Sequence, residues 1–301
     1  MKISQIILLS LGFVRSVAAW DYTGHMLVDQ IAFNTLRPEV RAKVSAVVAN
    51  LDSRYNGHHA YNFITAGCWM DDYRSSPSYS LSALHYIDVP YAPAGLPYVE
   101  PSPPHALSAI EHALETLRNA QSTAEEKAEN LGILMHLIGD IHQPLHCVDW
   151  NDRGGNAYPI SGIPFSDLGK KQTPNLHSFW DKSYRFDSEG EKVVEKFYGV
   201  WPSERPGEDS AGPVKEQVAQ IMAQFAPAVL YQLAEKNPHA WARESYLLAC
   251  LYAYPVGPHP QNDEIVELSP AYVHGAYEIS RSRIALAGYR LAALLDDLYG
   301  K

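Results

Sequence analysis

The chain has 301 residues, 46% of them hydrophobic and 19% charged, a composition that excludes a disordered or collagen-like protein. Lys and Arg number 24 against 34 Asp and Glu, so the formal net charge is −10 at pH 7. This balance argues against a protein that holds nucleic acid on a broad basic surface. Three cysteines are too few for a disulfide scaffold.

The first nineteen residues are typical of an export signal. Lys2 precedes an apolar run from Ile6 to Val14, and small residues follow up to Ala19. The run is far shorter than the roughly 20 residues that cross a bilayer. We therefore predict a secretory signal peptide, residues 1–19, cleaved after Ala19 to release a secreted or periplasmic protein. No later stretch is apolar enough for stable membrane association.

The remainder is dominated by apolar residues that recur with the helical period. Proline and capping patterns, including Ser122–Glu125, mark several helix starts. The segment 154–164 differs, because its glycines and short extended pieces predict a small β-hairpin. We expect one mainly α, all-helical domain over residues 20–301 with one small β-hairpin, and a monomer. The predicted helices cover residues 24–35, 39–51, 104–117, 124–138, 214–233, 240–251 and 270–298.

Two His-x-x-x-Asp pairs carry the first chemical signal. His136 precedes Asp140, and His177 precedes Asp181, by four residues. On a helix this spacing places both side chains on one face, where they can chelate a metal ion. One such pair alone also fits a structural His–Asp hydrogen bond. Two pairs in one chain favour a metal site.

Further candidate ligands flank these pairs. Pro144 should end the helix after the first pair, so that His146 turns back toward the same cavity. Upstream, His25 opens the first helix, Asp71 lies in the segment Trp69–Arg74, and His85 lies in an alternating stretch. Imidazole and carboxylate ligands without thiolate suit a catalytic zinc site with open coordination positions.

These residues resemble the zinc-dependent, single-strand-specific nuclease family of fungi, plants and bacteria, which shares its fold with zinc phospholipase C. The similarity extends over the whole predicted mature chain. The matching motifs are WxDxYR (69–74), LHYID (84–88), HLIGDxxQPLH (136–146), RGGN (153–156), NLHSxWD (175–181) and GYRLA (288–292).

The resemblance implies three Zn²⁺ ions. One would be bound by Asp71, His85, His136 and Asp140. A second would share Asp140 and take His25 with the free amine and carbonyl of Trp20, the predicted mature N-terminus. The third would be bound by His146, His177 and Asp181.

The resemblance also implies the reaction. Zinc-activated water would cleave the P–O3′ bond of single-stranded DNA or RNA and leave 5′-phosphates, with 3′-nucleotidase activity besides. Asp71 would orient the attacking water, and Arg74 would stabilise charge on the phosphate. A simple salt bridge is the alternative role of Arg74.

The base-binding positions of the family also have counterparts. Tyr86 would stack on a base, with a core aromatic as its alternative role. Asp88, Gly154 and Asn156 would contact the base edge. An edge is free for such contacts only in a single strand, so we expect single-stranded nucleic acid and nucleotides as substrates.

Two other functions fit part of the pattern. A zinc phospholipase C has a similar ligand set and also breaks a phosphodiester, but the motifs around Asp88 and Asn156 suit a base better than a lipid. A non-enzymatic zinc-sequestering protein would saturate its sites with protein ligands. Cys68 and Cys147, both close in sequence to proposed ligands, are candidates for pairing, whereas Cys250 is expected to be a buried thiol.

Overall fold

The computed structural model describes residues 20–54, 60–74, 81–94, 96–163, 174–185, 212–254, 259–260 and 264–300. The predicted signal peptide lies outside these residues. Within them the chain is mostly helical, which confirms the mainly α prediction. The helices are α1 (Tyr22–Thr35), α2 (Pro38–Val48), α3 (Trp69–Tyr73), α4 (Ala106–Arg118), α5 (Ala124–Asp140), α6 (Leu176–Trp180), α7 (Gly212–Gln224), α8 (Pro238–Leu248) and α9 (Pro270–Tyr299).

Local sequence signals account for most helix ends. Thr123 caps α5 in a capping box with Glu126, one residue later than the Ser122–Glu125 pattern predicts. The predicted helix 214–233 stops at Gln224, and short 3₁₀ turns follow from Pro227. A proline cannot donate the backbone hydrogen bond that would continue the helix.

The core is centred on α1, α5 and α9. The second half of α5, from Leu131 to Asp140, is almost entirely buried. Helices α1 and α9 cross very closely at Gly288, where an added Cβ atom would lie 2.5 Å from Cβ of Ile31. Glycine is therefore required at this position of the GYRLA motif. The crossing holds α1, and with it His25, against the buried end of α5.

The predicted hairpin is wrong in its pairing. Strand β1 (Ile160–Ser161) pairs in parallel with β2 (Val266–Glu267), which lies far away in sequence just before α9. A hairpin requires two adjacent antiparallel strands. The glycines at 154 and 155 instead have φ values of +61° and +85° and form a turn that packs against His177.

The three cysteines are buried thiols that form no disulfide with one another. The Sγ atoms of Cys68 and Cys147 contact different backbone carbonyls, those of Tyr22 and Ile141. The pairing of these two thiols that the sequence left open is therefore not formed, while Cys250 is the buried thiol expected. In the described part of the chain, no helix combines the length and apolar character needed to span a membrane.

Candidate metal and active site

Asp140, at the end of α5, lies at the centre of three imidazoles. Its Oδ2 atom is 3.1 Å from Nε2 of His136, one helical turn earlier, and 3.3 Å from Nδ1 of His85. Its Oδ1 atom is 3.4 Å from Nε2 of His25 on α1. All four side chains are fully buried. The predicted convergence of these residues from three distant segments is therefore present.

Asp71 and Arg74, on and just after α3, complete this side of the site. Oδ1 of Asp71 lies 4.0 Å from Nδ1 of His85 and 3.7 Å from Nη1 of Arg74. The Asp71 and Asp140 oxygens and Arg74 Nη1 have no hydrogen-bond partner among the described residues. Burying carboxylates in this way is costly unless a cation compensates them.

A second cluster forms around the 3₁₀ turn Pro144–Cys147. Proline ends α5 as predicted, and the turn directs Nε2 of His146 to within 3.0 Å of Nε2 of His177. His177 Nε2 is in turn 3.6 Å from Oδ1 of Asp181, its i+4 partner. The predicted third group of ligands is thus assembled.

Backbone carbonyls fix the tautomers of three of these histidines. A carbonyl oxygen only accepts hydrogen bonds, so the Nδ1 atom that it contacts carries a proton, and in the neutral ring Nε2 carries the lone pair. Carbonyl contacts of this kind are typical of histidines that bind metals. The Nδ1–O distances are 2.6 Å for His136 to Gly67, 2.7 Å for His146 to His85 and 2.7 Å for His177 to Gly154.

The two lone pairs of His146 and His177 therefore face each other across 3.0 Å. A proton or a metal ion must lie between them to remove the repulsion. Burial lowers the pKa of His177 well below its ordinary value, and the neighbouring His146 lowers it further. A protonated imidazole is thus disfavoured, and the arrangement fits a metal cation.

The pKa values of the carboxylates also indicate that the site favours a cation. Burial raises the pKa of Asp71 to about 6, and it raises the pKa of Asp181 well above the ordinary range. Asp140 differs, because His136 and His85 outweigh its burial and hold its pKa well below the ordinary value.

Among the residues that the structure describes, three His/Asp groups have ligand atoms close enough to hold a metal ion. Their donors are imidazole nitrogens and carboxylate oxygens, which fit zinc. The groups are His25 with Asp71 and His136; His85 with His136 and Asp140; and His146 with His177 and Asp181.

Trp20 lies between the two clusters. Its indole is fully buried, and Nε1 donates a 2.9 Å hydrogen bond to the carbonyl of Gly139, the residue before Asp140. The next backbone N–H, that of Asp21, donates to the carbonyl of Asp181 at 3.4 Å. This placement brings Trp20 beside both metal-binding segments.

Tyr86 and Asp88 share the outward face of an extended segment. His85, Ile87 and Val89 alternate with them and are buried. Tyr86 is partly exposed and therefore not a core aromatic. Partial burial raises the pKa of its hydroxyl, Asp88 raises it further, and Arg74 opposes both effects.

Gly154 and Asn156 lie on the loop that follows Asp149. The N–H of Gly154 donates to Asp149 Oδ1 at 3.3 Å, while its carbonyl holds His177. Asn156 is partly exposed, and its Nδ2 atom donates to the Arg153 carbonyl at 2.7 Å. The backbone of Gly154 therefore positions the imidazole of His177, a role that the sequence motifs did not indicate.

Gln143 is a site residue that the sequence interpretation missed. Its Nε2 atom donates to Oδ1 of Asp181 at 2.7 Å, and its Oε1 atom accepts from the Leu145 N–H at 2.5 Å. The sequence feature that could have indicated this role is the position of Gln143 at the start of the QPLH motif, three residues after Asp140. By contrast, His142 points away from the cluster, donating to the Ile138 carbonyl and accepting from Arg290.

Buried His/Asp groups in a helical chain are typical of a metal-dependent hydrolase. The chain matches the family model described as S1/P1 Nuclease over residues 20–300. It therefore belongs to the S1/P1 nuclease family, whose members hydrolyse nucleic acids, and the resemblance inferred from the motifs is confirmed.

Curated relatives cover nearly the whole chain at low identity. Endonuclease 3 of Arabidopsis thaliana is 28% identical over 296 residues, which are 95% of this chain and 91% of the relative. Nuclease P1 of Penicillium citrinum is 23% identical over 287 residues, 93% of this chain and 98% of the relative. Nuclease S1 of Aspergillus oryzae is 25% identical over 305 residues, 95% of this chain and 94% of the relative.

Proposed function

We propose that this nuclease is a secreted, zinc-dependent phosphodiesterase that hydrolyses single-stranded DNA and RNA. It cleaves the P–O3′ bond to leave 5′-phosphates and also removes 3′-phosphates from nucleotides. The observation that carries the proposal is the pair of imidazole lone pairs on His146 and His177, which face each other at 3.0 Å. Beside them lie the carboxylate oxygens of Asp71 and Asp140, which have no hydrogen-bond partner among the described residues.

The residues present fit three zinc ions. Bound zinc would acidify water to a hydroxide nucleophile near neutral pH and neutralise charge on the phosphate. Asp140 would be shared between two ions, one held by Asp71, His85 and His136 and the other by His25 and the amine and carbonyl of Trp20. His146, His177 and Asp181 would hold the third.

Arg74 and Asp71 act on the reacting phosphate. Arg74 is almost fully buried, yet its Nη1 atom has no hydrogen-bond partner among the described residues. A guanidinium held in this way can donate to a phosphate oxygen as negative charge develops there. Its 3.7 Å approach to Asp71 keeps the two side chains aligned, so the ion pair and the catalytic role are compatible.

Base recognition belongs to the surface beside Arg74. The exposed face that carries Tyr86 and Asp88 offers a ring for stacking and a carboxylate for a base edge. Stacking of one base on an aromatic ring contributes about 1–3 kcal/mol without sequence preference. Asn156 supplies an amide at the neighbouring loop. A base must be unpaired to use these groups, which favours single strands.

The predicted export signal agrees with this chemistry. Cleavage after Ala19 would release the Trp20 α-amine next to Gly139 and Asp181, the two segments that its indole and the following N–H already contact. We therefore propose residues 20–301 as one secreted catalytic domain that acts as a monomer.

A substrate panel tests the proposed function. Zinc-loaded protein cleaved after Ala19 is incubated with heat-denatured DNA, RNA, duplex DNA, 3′-mononucleotides and phosphatidylcholine vesicles. We expect 5′-phosphate products from both single-stranded substrates, phosphate from the mononucleotides, and little product from the duplex. Tyr86→Ala should lose activity on oligonucleotides while keeping its zinc content.

Other outcomes of the panel would contradict the proposal. Release of choline phosphate without nucleotide products would assign the site to a phospholipase C. Zinc binding without any product would indicate a zinc-sequestering protein. Equal cleavage of duplex and denatured DNA would contradict the single-strand preference.

A further inference from the structure

One buried carboxylate close to the metal cluster has no place in the proposed mechanism. Asp29 lies on α1, one turn after His25, and is fully buried. Its Oδ2 atom accepts a 2.8 Å hydrogen bond from the backbone N–H of Gly67, while Oδ1 has no partner in the described part of the chain. A buried carboxylate with one hydrogen bond is expensive, so a compensating role is expected.

Gly67 connects this carboxylate to a proposed zinc ligand. The Gly67 carbonyl accepts the 2.6 Å hydrogen bond from Nδ1 of His136. Asp29 therefore accepts a hydrogen bond from the N–H of Gly67, and the carbonyl of Gly67 accepts one from the imidazole of His136. This connection links α1, the 3₁₀ turn Ala66–Cys68 and α5 through buried hydrogen bonds alone.

The close approach depends on glycine. A Cβ atom on Gly67 would lie 2.8 Å from Oδ2 and 3.2 Å from Oδ1 of Asp29. No larger residue could leave the carboxylate in place against the backbone. The turn that Gly67 belongs to leads directly into α3, which carries Asp71. The position of Gly67 thus influences two proposed ligands.

We propose that Asp29 is a positioning residue for the metal centre. By fixing Gly67, it holds the His136 ring with its Nδ1 proton on the carbonyl and its Nε2 lone pair toward Asp140. This raises the affinity of the cluster for zinc. The inference rests on the proposed function only in requiring that zinc occupy this cluster.

Zinc affinity tests the proposal without any nuclease assay. Asp29→Leu keeps the branched shape but removes the acceptor, whereas Asp29→Asn keeps an acceptor oxygen for Gly67. Gln30→Leu is the matched control, since Gln30 is the next residue on α1, is also buried, and bonds Asn34 instead. Competition with a chromophoric chelator measures affinity, and thermal unfolding of the metal-free proteins measures folding.

We expect Asp29→Leu to weaken zinc binding about 10-fold, the lower end of the loss seen when the partner of a metal-bound histidine is removed, because the Gly67 carbonyl itself remains. Asp29→Asn should restore most of the affinity, and Gln30→Leu should leave it unchanged at a similar cost in stability. The Nδ1 proton of His136, assigned by its absence in His136→Gln, should exchange with water faster in Asp29→Leu.

Unchanged zinc affinity and unchanged proton exchange in Asp29→Leu would overturn the proposal. If Asp29→Leu does not fold, Asp29→Ser, which is too short to reach Gly67, repeats the test with the same expected loss. Wild-type protein that binds zinc but cleaves no nucleic acid would contradict the proposed function and leave this inference intact.

Discussion

At the scale of single residues, Gln143 joins the two parts of the outer cluster, which consists of His146, His177 and Asp181. Its amide oxygen caps the turn that carries His146, and its amide nitrogen donates to Asp181. One side chain therefore sets the positions of two proposed ligands. Hydrogen bonds to a ligating carboxylate are a common means of tuning a metal site.

Replacing Gln143 with Leu should weaken zinc at this cluster about 10–100-fold, because the donor to Asp181 and the turn cap are both lost. Metal analysis after dialysis should find that one zinc is lost before the others. Gln217→Leu is the control, since Gln217 is also buried but bonds Arg281. Full retention of zinc in Gln143→Leu would show that the contact has no role in metal binding.

The backbone amine of Trp20 gives a second residue-scale prediction. An α-amine has a pKa of about 7.7–8.0 and can bind zinc near neutral pH, whereas a peptide nitrogen cannot. An extension before Trp20 should therefore abolish most activity and remove one zinc. The comparison is between protein cleaved after Ala19 and protein with a retained tag, both zinc-loaded. Equal specific activity would remove the amine from the ligand set.

At the scale of elements, the loop from Asp149 to Asn156 supports the outer cluster. Oδ1 of Asp149 accepts from the N–H groups of three successive residues, Asp152, Arg153 and Gly154. The resulting turn presents the Gly154 carbonyl to His177. An Asp side chain that accepts hydrogen bonds from several neighbouring N–H groups can stabilise such a turn.

Gly154→Ala should disrupt this loop and weaken zinc binding by His177. The φ of Gly154 is +61°, and a Cβ atom would lie 2.6 Å from the Leu145 carbonyl oxygen. Strain of this kind costs about 1–3 kcal/mol. Gly275→Ala in α9 is the control, because its Cβ would meet nothing within 4 Å, and it should be neutral or stabilising. Thermal unfolding and metal analysis of both variants provide the check.

Sequence periodicity predicted the long helices well because their buried faces follow the helical repeat. The predicted 270–298 segment corresponds to α9, Pro270–Tyr299. Pairing between β1 and β2 was not predictable, since two-residue strands have no detectable pattern and their partners are distant in sequence. The π turn Ala249–Ala253 after α8 also has no pattern of its own, because its residues continue the helical period.

Within the site, the candidate ligands were predictable from the sequence, whereas the contacts that support them were not. The candidate ligands belong to sequence motifs whose spacing indicates a chelate, as with His177 and Asp181. The supporting contacts were not predictable, because they are made by backbone carbonyls such as that of Gly67, or by a side chain from another helix such as Asp29. A contact made by a backbone carbonyl does not require a particular residue type, except where only glycine fits the space.

At the scale of the whole molecule, His239 ties three separate segments together. It lies at the start of α8, with Nδ1 2.8 Å from Glu100 in the proline-rich segment and Nε2 3.0 Å from Glu111 on α4. Partial burial lowers the pKa of His239, but the two carboxylates outweigh this effect and raise it overall.

Because the folded-state pKa is raised, this contribution to stability is complete below the unfolded value of about 6.5 and is lost as pH rises through the folded value. His239→Gln should therefore lower the urea midpoint of unfolding slightly at pH 5.5 and hardly at pH 9. His112→Gln, an exposed position on the same α4, is the control. An equal effect of His239→Gln at both pH values would contradict this linkage.

Because so many of the proposed ligands are buried, we expect metal binding to depend on the whole fold. Candidate ligands from distant parts of the chain meet in one region, and the carboxylate oxygens of Asp71 and Asp140 have no hydrogen-bond partner among the described residues. Metal removal should therefore reduce stability as well as activity.

Metal analysis of active protein, before and after chelation, tests this account most directly. We predict close to three zinc ions per chain, complete loss of nuclease activity on their removal, and a lower unfolding temperature in the same sample. Readdition of zinc should restore both properties. Fully active protein that contains one zinc ion or none would contradict the account.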